Sequence, residues 1–162
     1  MNPATPTLWY ADWAWSLPLI VVTVLIHVLG LGLFNERVIP ALGGIARGHP
    51  TAAFIVVMSA TVLFATLLHG LEGAIWAVAY LVLGALPDPG SAMLYSLSSL
   101  TTYGHAPVFL ASHWQLMGAL EALNGIILFG LTTAFLFSKI QRVWALGTEV
   151  RSRPAEDRPP PG

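Results

Sequence analysis

An all-α membrane protein is the fold class this sequence predicts, and three observations carry that prediction. Hydrophobic residues make up 56% of the 162-residue chain and charged residues only 9%, whereas a soluble domain holds about 25% charged residues. Three apolar runs are each long enough to cross a hydrocarbon core of about 30 Å. Between the second and third runs lies a short uncharged segment, AMLYSLSSLTTYGHA, from Ala92 to Ala106. A polar, glycine-containing turn between two spanning helices is costly unless it is buried in protein or lines a water-filled path. The segment therefore predicts a re-entrant helix and loop whose backbone carbonyls face ions.

Residues 1–16 carry Trp9, Tyr10, Trp13 and Trp15 and no Lys or Arg. Rings at 9 and 13 share one helical face, which predicts an interfacial lead-in at the headgroup level. The first span is expected over 17–39, with Pro18 tolerated in its opening turn, and it stops at Asn35-Glu36-Arg37. Pro40, Gly43, Gly44 and Gly48 then read as a loop, and Pro50 suits the first position of the next helix. The apolar run over 51–86 would be roughly 54 Å long if straight. It must protrude, kink or break, with Gly70, Gly73 and Gly84 as candidate places. Pro87-Asp88-Pro89-Gly90 ends it. Ser91 is the expected N-cap of a short helix over 91–101, and the last span is expected over 115–138. These spans make up a membrane domain over 17–142. The tail, 143–162, is polar and proline-rich and is expected to be disordered.

Cations are placed one-sidedly. Arg37 and Arg47 lie in the first loop, and Lys139, Arg142, Arg151, Arg153 and Arg158 follow the last span, while residues 1–16 and 87–114 hold none. The positive-inside rule then puts the N-terminus outside and the C-terminus in the cytoplasm, as a multi-pass protein of the cytoplasmic membrane. A net charge of −1 offers no patch that could hold a nucleic acid. With no cysteine in the chain, disulfides, thiol catalysis and Cys-type zinc sites are excluded. There is no suggestive Ser-His-Asp spacing, phosphate-binding glycine loop or HExxH, so the chain is not expected to be an enzyme.

From Leu71 onward the pattern of span, short helix, glycine turn and span resembles the small bacterial potassium channels, which are pore-loop cation channels. In that family a pore helix leads into a filter of the form T-x-G-Y-G-D and then an inner helix. The stretch from Ala119 to Ile140, ALEALNGIILFGLTTAFLFSKI, is similar to the inner helix of bacterial inward-rectifier-type pores, where a glutamate four residues before a glycine is familiar. Here that pair is Glu121 and Gly125. The resemblance implies a homotetramer in the lipid bilayer, conducting a monovalent cation (K+ or Na+), with no other cofactor. It implies ion-binding filter residues Thr101, Thr102, Tyr103, Gly104, His105 and Ala106, and a glutamate at Glu121 bracing the loop from behind. Gly125 is then either a gating hinge or a site of close helix packing.

The filter departs from the family pattern in its upper half. The filter tyrosine falls on His105, the second glycine on Ala106 and the aspartate on Pro107. Filter carbonyls replace an ion's hydration shell only if alternate residues take left-handed angles, and a left-handed alanine costs roughly 1–2 kcal/mol. Reduced potassium selectivity is expected. The alternative is a non-conducting or metal-binding membrane protein on the same scaffold, with His105 as metal ligand. His69 and Glu72, at i and i+3, share a face of the second span and are expected to support the filter by tying that span to the pore helix, or to sit at the outer interface. His27 reads as a lone histidine bonded to a neighbouring helix.

Overall fold

A computed structural model describes residues 6–41, 50–104 and 107–152. The loop around Arg47, the filter positions His105 and Ala106, and residues 153–162 of the expected tail lie outside the described residues. The chain is all-helical where described, and three of its helices are long and apolar enough to cross a membrane. Four α-helices account for it: α1 (Pro6–Leu33), α2 (Pro50–Val82), α3 (Pro89–Leu100) and α4 (Gln115–Ser152).

α1 begins eleven residues earlier than the expected span, because Pro6 suits a first helical position and nothing breaks the helix up to Trp15. Residues 6–16 are thus continuous with the span, and Pro18 lies well inside α1 rather than in its first turn. Trp9 and Trp13 are exposed on the shared face the spacing predicts. The expected stop at Asn35-Glu36-Arg37 is instead a π-helical stretch, Phe34–Val38, through which the helix continues to Ala41. Phe34 is buried there and stacks on Phe64 of α2 at 4.5 Å between ring centres.

α2 is unbroken through Gly70 and Gly73 and stops at Val82, short of the expected Leu86. Gly84 takes a left-handed φ of +64°. Its N–H donates to the Leu81 carbonyl at 3.0 Å and that of Ala85 to the Tyr80 carbonyl at 2.8 Å, the paired pattern of a Schellman cap. Protrusion and a glycine stop, not a kink, accommodate the excess length. The N-cap of α3 is Asp88, not Ser91. The Asp88 carboxylate accepts the Ser91 N–H at 2.9 Å with Pro89 at the first helical position. Aspartate with proline behind it outcompetes a serine two residues further on, because that proline has no N–H to satisfy. At the other end of the chain α4 passes the expected limit of Ser138 and runs to Ser152. Its helix-forming residues continue past Ser138, so 143–152 is helix and not disordered tail.

α3 lies between α2 and α4. The Ala111 N–H donates to the Ala85 carbonyl at 3.3 Å, bringing the two ends of the intervening segment together. At the far end of α3, Ser96 Oγ donates to the Gly73 carbonyl at 2.7 Å, and Gly125 lies against the backbone of Leu100. Gly73 lies about 14 Å along α2 from its end and Gly125 about 15 Å along α4 from its start. α3 therefore runs beside less than a third of the length of α2 and of α4 and stops. Trp76, Tyr80, Leu110 and Met117 form the core around its upper part. In lipid, burying such side chains distinguishes folded from separated helices only weakly, so close contacts at small residues and hydrogen bonds hold the helices together.

Backbone hydrogen bonds, chiefly from the Ser91 N–H, hold the Asp88 carboxyl below its ordinary 3.8. A lowered pKa contributes stability that is complete at neutral pH and lost as the pH falls through the folded value. Acid titration should loosen the α3 segment of the parent protein first, read by backbone amide exchange. In Asp88→Ala, α3 should be looser at neutral pH and show no further loss on acidification.

Candidate functional site

The C-terminus of α3 and the turn after it form the site. α3 ends with a second Schellman cap: the Thr102 N–H donates to the Ser99 carbonyl at 2.9 Å and the Tyr103 N–H to the Ser98 carbonyl at 2.9 Å. Here the left-handed position is Thr102, at φ +56°, followed two residues later by Gly104 at +68°. Gly84 fills the corresponding position of the α2 cap, where glycine has no Cβ to clash. A β-branched residue in that region is strained by roughly 1–2 kcal/mol, and such strain gathers at functional turns. The sequence reading placed the penalty at Ala106; among the described residues it falls on Thr102. Thr101, Thr102, Tyr103 and Gly104 are all exposed in the single chain. A cleft of about 300 Å³ opens beside them, lined by Ser98, Ser99, Thr102, Gly104 and Gly118 among others.

Behind the turn, Glu121 of α4 is fully buried. Its carboxyl accepts from Tyr80 Oη of α2 at 2.6 Å and lies 2.5 Å from Ser96 Oγ of α3. One side chain thus joins α2, α3 and α4. Ser99 Oγ adds a bond to the Gly118 carbonyl at 2.7 Å. Gly125 sits one turn further along α4, where an added Cβ would overlap the Leu100 carbonyl. Of its two expected roles, close packing is the one visible, since α4 is helical on both sides of it.

His69 and Glu72 do not reach α3, so the expected tie from this pair to the pore helix is not made. α3 approaches α2 at Gly73, on the adjoining face. Glu72 points across the bundle instead, where its Oε1 lies 2.8 Å from His27 Nδ1 of α1 and its Oε2 3.1 Å from His69 Nδ1. Thr132 Oγ1 of α4 lies 3.0 Å from His27 Nε2 and 3.2 Å from His69 Nε2. His27 is thus bonded to neighbouring helices, as expected, but it is not a lone group. Asn124 donates to Thr23 Oγ1 at 2.8 Å on the same α1–α4 seam. The Asp12 side chain is also buried.

The sequence reading missed Asp12, Asn124 and Thr132. Their signal is a polar residue on the inward face of an apolar helix, visible only once helix phases are known. His27, His69 and Glu72 are the one set of metal-ligand types brought within 4.8 Å of one another among the described residues. Each histidine faces a different oxygen of the carboxylate, and the rings lie 5.1 Å apart at 33°. That is a hydrogen-bonded ring, not four lone pairs aimed at one centre.

No family model matches the chain, and no curated protein or solved structure is found similar to it.

Two substitutions test the site. Thr102→Gly removes the left-handed clash and should leave the protein as stable or stabilise it by up to about 1 kcal/mol, read by thermal unfolding in detergent. Gly84→Ala, the converse change at the companion cap, should destabilise. Gly125→Ala should displace α3 and lower the midpoint markedly, whereas Gly130→Ala, with nothing within 4 Å of its added Cβ, should be silent. Equal effects at 125 and 130 would remove the close-packing account of Gly125.

Proposed function

We propose that the chain is the pore-forming subunit of a homotetrameric, potassium-type cation channel. The observation that carries this reading is a short helix that stops part-way along its two long neighbours and ends in an exposed turn with left-handed residues at alternate positions. Such alternation turns successive carbonyls to one side, the arrangement a cation needs in place of its hydration shell. α3 acts as the re-entrant pore helix, and its last free carbonyls, those of Leu100 and Thr101, carry the negative end of the helix dipole toward the permeating ion. Thr101 to Gly104 form the lower filter, and Glu121 fixes the turn from behind. Four copies complete a ring that a single exposed turn cannot.

The one-sided cations support a cytoplasmic-membrane orientation in which α3 enters from outside and the C-terminus is cytoplasmic. His105 and Ala106, where the family resemblance expects tyrosine and glycine, support reduced selectivity and an outer filter reshaped by the missing glycine.

The test is flux from liposomes containing the purified tetramer, under potassium and sodium gradients. Parent protein should pass both ions with a modest preference for potassium. His105→Tyr with Ala106→Gly should raise that preference and abolish any loss of flux on acidification to about pH 6. If an intact tetramer carries no ion in either form, the non-conducting scaffold replaces the channel reading.

A further inference from the structure

Counting hydrogens around Glu72 gives a result that does not depend on the channel reading. Four side chains from three helices form a closed ring with four contacts: His27 Nδ1 to Glu72 Oε1 (2.8 Å), His69 Nδ1 to Glu72 Oε2 (3.1 Å), and Thr132 Oγ1 to His27 Nε2 (3.0 Å) and to His69 Nε2 (3.2 Å). Every ring contact needs one hydrogen. A carboxylate supplies none, each neutral imidazole one and the threonine hydroxyl one, so the ordinary forms supply three hydrogens for four contacts. With three, one contact would press two lone pairs together in a place where unpaired polar groups are costly.

Thr132 has not been drawn into an ordinary helix-backbone bond. Thr23, Thr61, Thr66 and Thr133 each turn their hydroxyl onto a carbonyl of their own helix, whereas Thr132 faces the two imidazoles. His27, Glu72 and Thr132 are buried, and His69 is covered by the Phe129 ring at 4.2 Å.

We propose that His27, His69, Glu72 and Thr132 form a buried proton-binding site, holding one proton more than these groups carry in their ordinary neutral-pH forms. With the proton on one imidazole, both Nδ1–H groups donate to Glu72, the imidazolium Nε2–H donates to Thr132 Oγ1, and the Thr132 hydroxyl donates to the other Nε2. All four contacts are made, and carboxylate plus one imidazolium is electrically neutral. The charged histidine can exchange: the Nε2–H bond of the imidazolium breaks as its proton joins Oγ1, and the former Oγ1–H proton passes to the other Nε2. No atom or electron is left over.

A divalent metal bound to the same carboxylate and two neutral imidazoles would leave one positive charge at membrane depth, which disfavours a metal here. No other titratable group shares the ring. On α1, Asp12 lies about four turns away on one side, with Glu36 and Arg37 more than two turns away on the other. On α2, Tyr80 is about two turns away; on α4, Glu121 is about three turns and Lys139 about two turns away. α3 brings only Tyr95, which packs on Tyr80.

Losing the extra proton breaks the ring, so the site clasps α1, α2 and α4 at lower pH and releases them as pH rises. The decisive variant is Glu72→Gln. A glutamine amide donates one hydrogen and accepts another, so the ring closes with four hydrogens and no extra proton. Thermal midpoints in detergent should fall for the parent as the pH is raised from mildly acidic to mildly alkaline. Glu72→Gln should hold its midpoint over that range and exceed the parent at the alkaline end, while Glu72→Ala should be low throughout.

Nitrogen-15 spectra of histidine-labelled protein in bilayers, with the carboxyl infrared band, give the proton count directly. The parent should show one proton more than Thr132→Val, whose shape is similar but which cannot complete the ring. A parent whose midpoint is flat with pH, or Glu72→Gln falling in step with it, overturns the proposal. So does an equal proton count in the parent and Thr132→Val, or stoichiometric zinc binding that Glu72→Gln abolishes.

Discussion

The Glu121 carboxyl is the interaction on which the rest of the arrangement depends. α3 is a polar, twelve-residue helix placed among apolar spans, and water is not there to satisfy what its end leaves open. Glu121 takes the Tyr80 and Ser96 hydroxyls from two sides, which fixes α3 against α2 and α4 at once. Only with that anchor in place can Gly125 accept the Leu100 backbone and the Thr101–Gly104 turn hold its shape. The strain at left-handed Thr102 is tolerated because the surrounding contacts leave the turn no alternative.

α2 organises the molecule through two such nodes on different faces. Tyr80, near its upper end, reaches Glu121, while Glu72, about two turns below, reaches α1 and again α4. Gly73 sits between the nodes and admits Ser96 and Leu97 of α3. An apolar helix in lipid gains little specificity from its Leu and Val residues, so the register of each helix pair is set where polar groups must meet. The outward faces agree with this division, for example Leu25 and Leu29 on α1 and Leu63 and Leu67 on α2, all half exposed or more.

Much of this was legible in the sequence. Three spans and a short helix follow from run length alone, and the role of Glu121 follows from its spacing to Gly125 together with the family resemblance. The boundaries were harder, because local capping decides them: Asp88 beats Ser91 only because Pro89 removes a competing N–H, and Gly84 ends α2 before its apolar run does. The partners of Glu72 were out of reach for a different reason. A helical wheel places His69 and Glu72 on one face, but which helix meets that face depends on packing that period and composition do not encode. His27 and Thr132 lie in segments far from α2 in the chain, and nothing local marks either one as a partner.

The two buried glutamates also solve one electrostatic problem in two ways. An unpaired carboxylate at membrane depth costs several kcal/mol, so each must sit in a neutral cluster. Glu72 reaches neutrality through a histidine that shares its proton with a second. Glu121 instead meets only hydroxyls, those of Tyr80, Ser96 and Ser99, with no cationic partner among the described residues. The difference has a mechanical consequence. A carboxyl among hydroxyls offers no second basic group to take up its proton, so the Glu121 node is fixed. The Glu72 node can pass its charge between α1 and α2 through a hydroxyl on α4, so a change of proton number there alters how α1, α2 and α4 hold together.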